Sequence, residues 1–430
     1  MIVATSFRRC FLVKFLLVLT VCQSSYSMVW DNRYFPWFDQ LYTGSDSRHS
    51  NLDIQGFVVA GGKAFCQQSK AAKEDQSVYY PELFGELKLA NVGAALTAAG
   101  LSNPIPADWL WNSDITAFMP ATLEGQGVSF SGYASLTDHI GIGASAFIMN
   151  LNSSVAVVPT PETTSKLFLT NPGNQALFTQ TIQKMYQELD ITSTSMHEVG
   201  VGDVVVYINI YDVYDYRFKF KKLDWGAYFG MIIPCGSRQN IHNLASVPLG
   251  GGYGTWGWFI APRAEFELRD DLKFGIQARL TQRTDKTIKA RLPIYGTGKQ
   301  ASEQSLFAPV VGSVYVDQEP TFSIAPYFVF EDLRAGFGIQ AKYTISIHGH
   351  DSFIPKIKNP TIKPRIRDLN YYSGWIQEYA SIRLFYDVGH DKAWQYNPLV
   401  YFTWDIPMNH LAGRGFAQTN KVAIGCNFNF

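Results

Sequence analysis

Long stretches of this chain alternate apolar and polar residues with a period of two, over more positions than the strands of a soluble sandwich use. Trp256, Trp258, Ile260, Pro262, Ala264, Phe266 and Leu268 share one face of a segment whose other face carries Arg263, Glu265 and Glu267. After a charged turn, Arg269-Asp270-Asp271, the pattern resumes with Leu272, Phe274, Ile276, Ala278 and Leu280 against Lys273, Gln277, Arg279 and Arg283. The pair 321–347 repeats it about a turn expected at Glu331-Asp332, with Arg334, Gln340 and Lys342 on the polar face. The last residues, Lys421 to Phe430, set Val422, Ile424, Cys426, Phe428 and Phe430 against Lys421, Asn427 and Asn429. Strands of this length with a clean dyad are the signature of a transmembrane barrel.

No stretch approaches the roughly 18 uninterrupted apolar residues that a membrane-crossing helix needs. A closed barrel is the other way to satisfy a backbone in lipid. The start of the chain agrees. Arg8, Arg9 and Lys14 precede the apolar run Phe15–Cys22, and Ser25-Tyr26-Ser27 offers a small-residue cleavage site. Residues 1–27 thus read as a secretory signal, with Met28 the mature start. A lipoprotein site at Cys22 is the weaker alternative, because Val21 suits it poorly. Removal of the signal takes Cys10 and Cys22 and leaves Cys66, Cys235 and Cys426, an odd number that argues against a disulfide framework. The formal net charge is zero, without blocks of like charge, so nothing points to nucleic acid.

The expected fold is therefore all-β: a transmembrane antiparallel barrel over 51–430, with short helices in its outer loops. Thirteen segments read as strands, near 52–64, 80–90, 126–136, 140–150, 199–213, 222–234, 255–268, 272–283, 319–330, 333–347, 374–388, 394–406 and 420–430. Bacterial single-chain barrels use an even number. Fourteen is the preferred count, with a strand missed in 28–50, 100–124 or 286–317; twelve is the alternative. Short connections at 137–139, 214–221, 269–271, 331–332 and 389–392 alternate with long ones, as short periplasmic turns and long outer loops should. Residues 175–189 place Leu177, Phe178, Ile182, Met185, Tyr186 and Leu189 on one helical side after Asn174 as N-cap, and 92–99 form a second helix ending at Gly100. Either helix could constrict the barrel or only cap its mouth. The aromatic segment 28–50, with Trp30, Tyr34, Phe35, Trp37 and Phe38, reads as a plug or as a tail.

Lumen-facing candidates are Arg263, Glu265, Glu267, Lys273, Arg279, Arg283, Arg334, Lys342, Arg383, Asp387 and Asp405. Charge costs little on a wet lumen face but about 2–4 kcal/mol at mid-depth on a lipid face, which fixes the orientation of each strand. These charges either set selectivity along a pore or pair across strands. His348-Gly349-His350-Asp351 lacks the further ligands of a metal site, and Gly250–Gly254 precedes a strand and lacks the Lys of a phosphate loop. No cofactor, metal or catalytic set is expected.

Gly200-Val201-Gly202-Asp203-Val204 runs into a Tyr-rich strand, and a later strand closes in Pro234-Cys235-Gly236. This resembles the outer-membrane transporters of long-chain fatty acids and aromatic hydrocarbons, over about 40 residues. Cys235 stands where that superfamily usually has a small hydroxylated residue. The resemblance implies twelve or fourteen strands, an N-terminal plug and passive uptake of hydrophobic molecules. The terminal Phe430, with Phe428, resembles the assembly signal of outer-membrane barrels. The expected protein is a bacterial outer-membrane barrel for passive passage of small molecules. Its expected partners are lipid, the barrel assembly machinery and solutes. A surface-display barrel with a blocked lumen is the main alternative, and an outer-membrane hydrolase the second. A soluble secreted β-protein is the third.

Overall fold

The computed structural model describes residues 32–36, 47–66, 77–110, 115–168, 173–216, 220–294, 304–357, 363–390 and 397–430. The expected signal, 1–27, lies outside them, as does all of 28–50 except 32–36 and 47–50.

Twelve strands close a ring in which each pairs antiparallel with its neighbours in sequence. They are β1 Asn51–Gly61, β2 Ala121–Ser135, β3 Ile140–Val155, β4 Val204–Asp215, β5 Lys222–Ile233, β6 Gly257–Arg269, β7 Leu272–Arg283, β8 Thr321–Arg334, β9 Phe337–His348, β10 Trp375–Asp387, β11 Asn397–Met408 and β12 Asn420–Asn429. The closing pair runs Asn51↔Asn429 to Ala60↔Asn420, and Ser50 and Phe430 exchange two backbone hydrogen bonds at its end. Closure leaves the ring without an edge, the condition for a barrel in lipid. A thirteenth strand, Ser195–Val201, pairs with the upper part of β3 only.

Among the described residues the ring has twelve strands, the alternative count, and the preferred fourteen is not confirmed. Segment 80–90 is no wall strand: Pro81 opens a short 3-10 turn over Tyr80–Phe84, and a helix starts at Leu89. Pro81 supplies a fixed φ and needs no donor at that position. The Glu82 carboxylate holds the Tyr79 amide at 2.8 Å. The extra strand sought in 286–317 exists, but Lys286–Leu292, Val310–Asp317 and Ser352–Pro355 form a separate sheet among the long loops. The turn expected at Glu331-Asp332 falls later. β8 runs on to Arg334, and the reversal uses Asp332, Ala335 and Gly336, all at positive φ. Ala335 is therefore a turn residue, and Leu333 and Arg334 are exposed at the end of β8 beside it.

The outer face is apolar. Val58, Phe130, Ile208, Phe229, Phe328, Phe402 and Ile424 project from it, Ile424 at 64 % exposure. That band is what a bilayer demands of a barrel wall. Ile424→Arg should cost about 2–4 kcal/mol at mid-depth, read as a lower denaturant midpoint for the barrel in phospholipid vesicles.

The long connections gather at one end and the short turns, with Ser50 and Phe430, at the other. At the loop end a large apolar cluster fills the mouth. Helix Leu89–Ala98 contributes Leu89, Val92 and Leu96, and helix Gly173–Glu188 contributes Phe178, Ile182 and Met185. The second helix begins one residue before the expected cap, so Asn174 lies inside it and its amide donates to the Leu167 carbonyl. Leu177 is exposed and does not share the buried face.

One outward residue on β10 is a buried carboxylate. Glu378 on β10 shares a face with Ile382 and Leu384, yet it is fully buried. Its carboxylate accepts the backbone amides of His410 (2.9 Å), Leu411 (3.1 Å) and Ala412, and the Tyr343 hydroxyl (2.7 Å). The loop after β11 is thus tied to the outer wall by charge-assisted bonds. Glu378→Ala should release it, so that protease cleaves beside the exposed Leu411 about tenfold faster while the barrel stays folded, given about 1.5–3 kcal/mol per lost bond to charge.

Candidate functional site

Alternation turns every second side chain inward, and the register of neighbouring strands decides which charges meet. Near the turn end, Arg263 on β6 meets Asp224 on β5 at 3.0 Å and lies over the Tyr228 ring. Glu265 accepts the Tyr327 hydroxyl at 2.6 Å, and Lys273 pairs with Glu331 at 2.8 Å. Asp224 also accepts the backbone amide and hydroxyl of Ser47. Across the lumen, Arg383 stacks over Tyr401, whose hydroxyl donates to Asp53 at 2.8 Å. Lys421 pairs with Asp405 at 3.1 Å, with both side chains buried. Arg279 lies over Phe259 at 3.7 Å. Lys342 on β9 is half-buried, as is Glu267, near the turn end. Asp387, at the end of β10, accepts the Gly389 amide. Phe428 and Phe430 lie on the outer face of the closing strand and just beyond it, on the parity of Ile424.

Spacing alone does not reveal Asp53, Asp224, Glu331 and Tyr401, the partners of these groups. Only strand register brings them together. Side chains pack the mid-barrel closely: Gln277, Ser323, Thr344, Ser346, Gln377 and Tyr379 are all buried. These inward side chains are out of reach of solvent.

Above this packed zone the loops enclose a cup of about 570 Å³. A smaller cavity of about 110 Å³ lies against it, and Arg33, Phe84, Arg238 and Tyr253 border both. Between cup and barrel stands a tight cluster. Asp351 accepts the Tyr253 hydroxyl (3.0 Å), the Glu319 amide (3.0 Å) and a His348 ring nitrogen at 3.1 Å. His348 stacks on Trp375, with 5.5 Å between ring centroids. Burial, with Asp351 beside it, pushes the Tyr253 phenol well above its ordinary pKa, so it stays a donor. The His-x-His-Asp run thus makes a hydrogen-bonded neck. His350 turns away to the Asn370 carbonyl, and among the described residues no group of His, Cys, Asp and Glu could hold a metal ion.

The N-terminal segment reaches this neck. Arg33 donates to the Gly415 carbonyl at 2.8 Å and the Tyr372 carbonyl at 2.7 Å, both at the loop end. Asn32 donates to Pro248, and the Tyr34 carbonyl accepts from Thr419. Ser47, eleven positions after Pro36, is buried at the turn end against Asp224 and Tyr133. The described pieces of 28–50 therefore sit at opposite ends of the barrel.

The ladders on β3 are interrupted near mid-strand. β3 pairs with β4 over Ile140–Ser145 and with Ser195–Val201 over Ile148–Ser154, leaving Ala146 and Phe147 between the two ladders. The break falls at Gly202-Asp203. A Cβ on Gly202 would meet the Phe147 ring at 2.0 Å, so the position requires glycine. Asp203 accepts the Gly236 and Gly251 amides, each at 3.0 Å, and Arg283 at 2.8 Å. The Gly-x-Gly-Asp motif marks this clamp.

With that geometry in view, the chain is similar in structure to several solved barrels. An outer-membrane channel from Pseudomonas putida F1 matches at 9 % identity over 91 % of this chain and 100 % of that one, with a TM-score of 0.47. A FadL homologue from Pseudomonas aeruginosa matches at 9 % over 95 % and 99 %, with a TM-score of 0.32. A deletion mutant of the TodX monoaromatic hydrocarbon channel matches at 10 % over 89 % and 90 %, with a TM-score of 0.35. No family model matches the chain, and no curated protein matches its sequence. The likeness is one of barrel architecture.

Proposed function

We propose that the protein is a bacterial outer-membrane barrel that passes small solutes passively and rests with its lumen closed. The observation that carries this reading is the stack of features along one axis: a loop-end cup, a hydrogen-bonded neck and a charge-lined barrel interior. A purely structural barrel has no need of a cup bordered by the residues that seal its own neck. In this reading 1–27 is the export signal, the loop end faces the exterior, and 28–50 is a plug held by Arg33 above and Ser47 below. The lumen charges pair across strands at rest and are exposed to solute when the plug yields. Lipid surrounds the wall, and the closing strand with Phe430 engages the assembly machinery. No catalytic step belongs to this function.

The packed mid-barrel favours a second reading, a display barrel that never conducts. Efflux from proteoliposomes separates the two. Passage predicts release of small trapped solutes above the protein-free rate, with retention of large dextrans. Release no faster than from empty liposomes, by correctly folded protein, would support display.

A further inference from the structure

The cup is bordered by an open β-edge. Among the described residues of the loop sheet, Lys286–Leu292 pairs only with Val310–Val316, whose other side takes Ser352–Pro355, so 286–292 is an edge strand there. The five consecutive residues Thr287 to Arg291 all border the cup. Successive side chains of a strand point to opposite faces, so a run of both parities on one cavity means the strand's edge meets it. Among the described residues, no backbone group of Thr287, Ile288, Lys289 or Ala290 bonds to anything but the neighbouring strand. Segment 238–244 forms the facing wall, making a trough rather than a round pocket.

The charge of the trough has one sign. Arg33, Arg238, Lys289 and Arg291 border it with His242, which pairs with Asp190 at 3.0 Å, and among the described residues no Asp or Glu lines it. Arg33 and Arg291 are spent on carbonyls of the loops. Arg238 and Lys289 are exposed and, among the described residues, make no ion pair. Phe84, Leu244, Ile288 and Phe353 supply apolar surface beside them.

We propose that this trough binds an acidic oligopeptide as an added strand on the edge of 286–292. Edge pairing would supply affinity through main-chain hydrogen bonds, and alternate side chains would divide between the two kinds of wall. Acidic side chains meet Arg238 and Lys289, while apolar ones meet Ile288 and Phe353. The length of the edge on the cup suits about five residues at about 3.3 Å each, and the volume lies within the roughly 300–1,000 Å³ of small-ligand sites. The inference rests on the proposed function only in naming a ligand for its cup, since binding does not require conduction.

The test is calorimetric titration of the full-length protein in detergent with the blocked pentapeptide acetyl-Asp-Val-Asp-Val-Asp-amide. Saturable binding is expected, weakened about tenfold or more by Arg238→Glu with Lys289→Glu, the scale of a lost charge-assisted contact. N-methylation of both valine amides should weaken it comparably, because it removes edge donors and keeps the charge. The two substitutions lie outside the barrel wall, so heat-modifiable gel mobility should be unchanged. Equal affinity for the methylated peptide would overturn the strand-pairing model. Binding of sodium decanoate at the same residues without binding of the peptide would also overturn it, as would no binding by folded protein. Titration in detergent reports none of the efflux behaviour, so failure here and failure of the transport reading are separate results.

Discussion

Asp203→Ala should lower barrel stability by about 3–5 kcal/mol, the cost of removing one partner of a buried ion pair. Asp203 and Arg283 are 0 % and 3 % exposed. Deleting the carboxylate leaves the Gly236 and Gly251 amides without their acceptor and takes from the buried Arg283 guanidinium its anionic partner, while its bond to the Thr255 carbonyl stays. The site lies where the ladder to β3 is already interrupted, so strand pairing cannot compensate. Replacing both charges, Asp203→Ala with Arg283→Met, should recover part of the loss, because the second change removes the stranded cation. Chemical unfolding in vesicles, scored by loss of heat-modifiable mobility, measures all three proteins. A single variant as stable as the wild type would show that the clamp contributes nothing to closure.

The barrel is legible in the sequence because its two faces meet different solvents. Val422, Ile424 and Phe428 could not alternate with Lys421, Asn427 and Asn429 in a strand with one environment. The same logic explains the errors. Lys286–Leu292 alternates as a wall strand does, with Ile288, Ala290 and Leu292 against Lys289 and Arg291, yet it belongs to a loop sheet with its own small core. Periodicity reports that one face is buried and not what buries it. Segment 80–90 misleads differently: Tyr80, Leu83, Leu87 and Leu89 are all buried in the mouth, so no dyad separates strand from turn. The partners in the lumen were out of reach because register makes them. Asp224 meets Arg263, 39 residues away, and Arg33 meets Gly415, 382 away. The Gly-x-Gly-Asp motif was visible as a pattern, whereas the strand break it creates needed the two ladders on β3.

Removal of residues 28–46 behind an intact export signal should turn a closed barrel into a conducting one. Arg33 ties the strand β12 approach, at Gly415, to Tyr372 before β10, and Asn32 holds the 248–250 segment. Tyr34 and Phe35 are buried in the apolar mouth cluster. Loss of these contacts unseats the neck while leaving every wall pairing in place, including Ser50 with Phe430. The effect on stability should therefore be small beside the effect on passage. Arg33→Ala should act in the same direction and more weakly, since it removes the ties to Gly415 and Tyr372 and keeps the chain.

Single-channel recording in planar bilayers tests this most directly, with the full-length mature protein and the form lacking 28–46 compared under one salt condition. The account predicts rare or no steps for the first and frequent, sustained steps for the second, both with the heat-modifiable mobility of a folded barrel. A folded truncated barrel as silent as the full-length one would contradict the claim that a solute path lies behind the N-terminal segment.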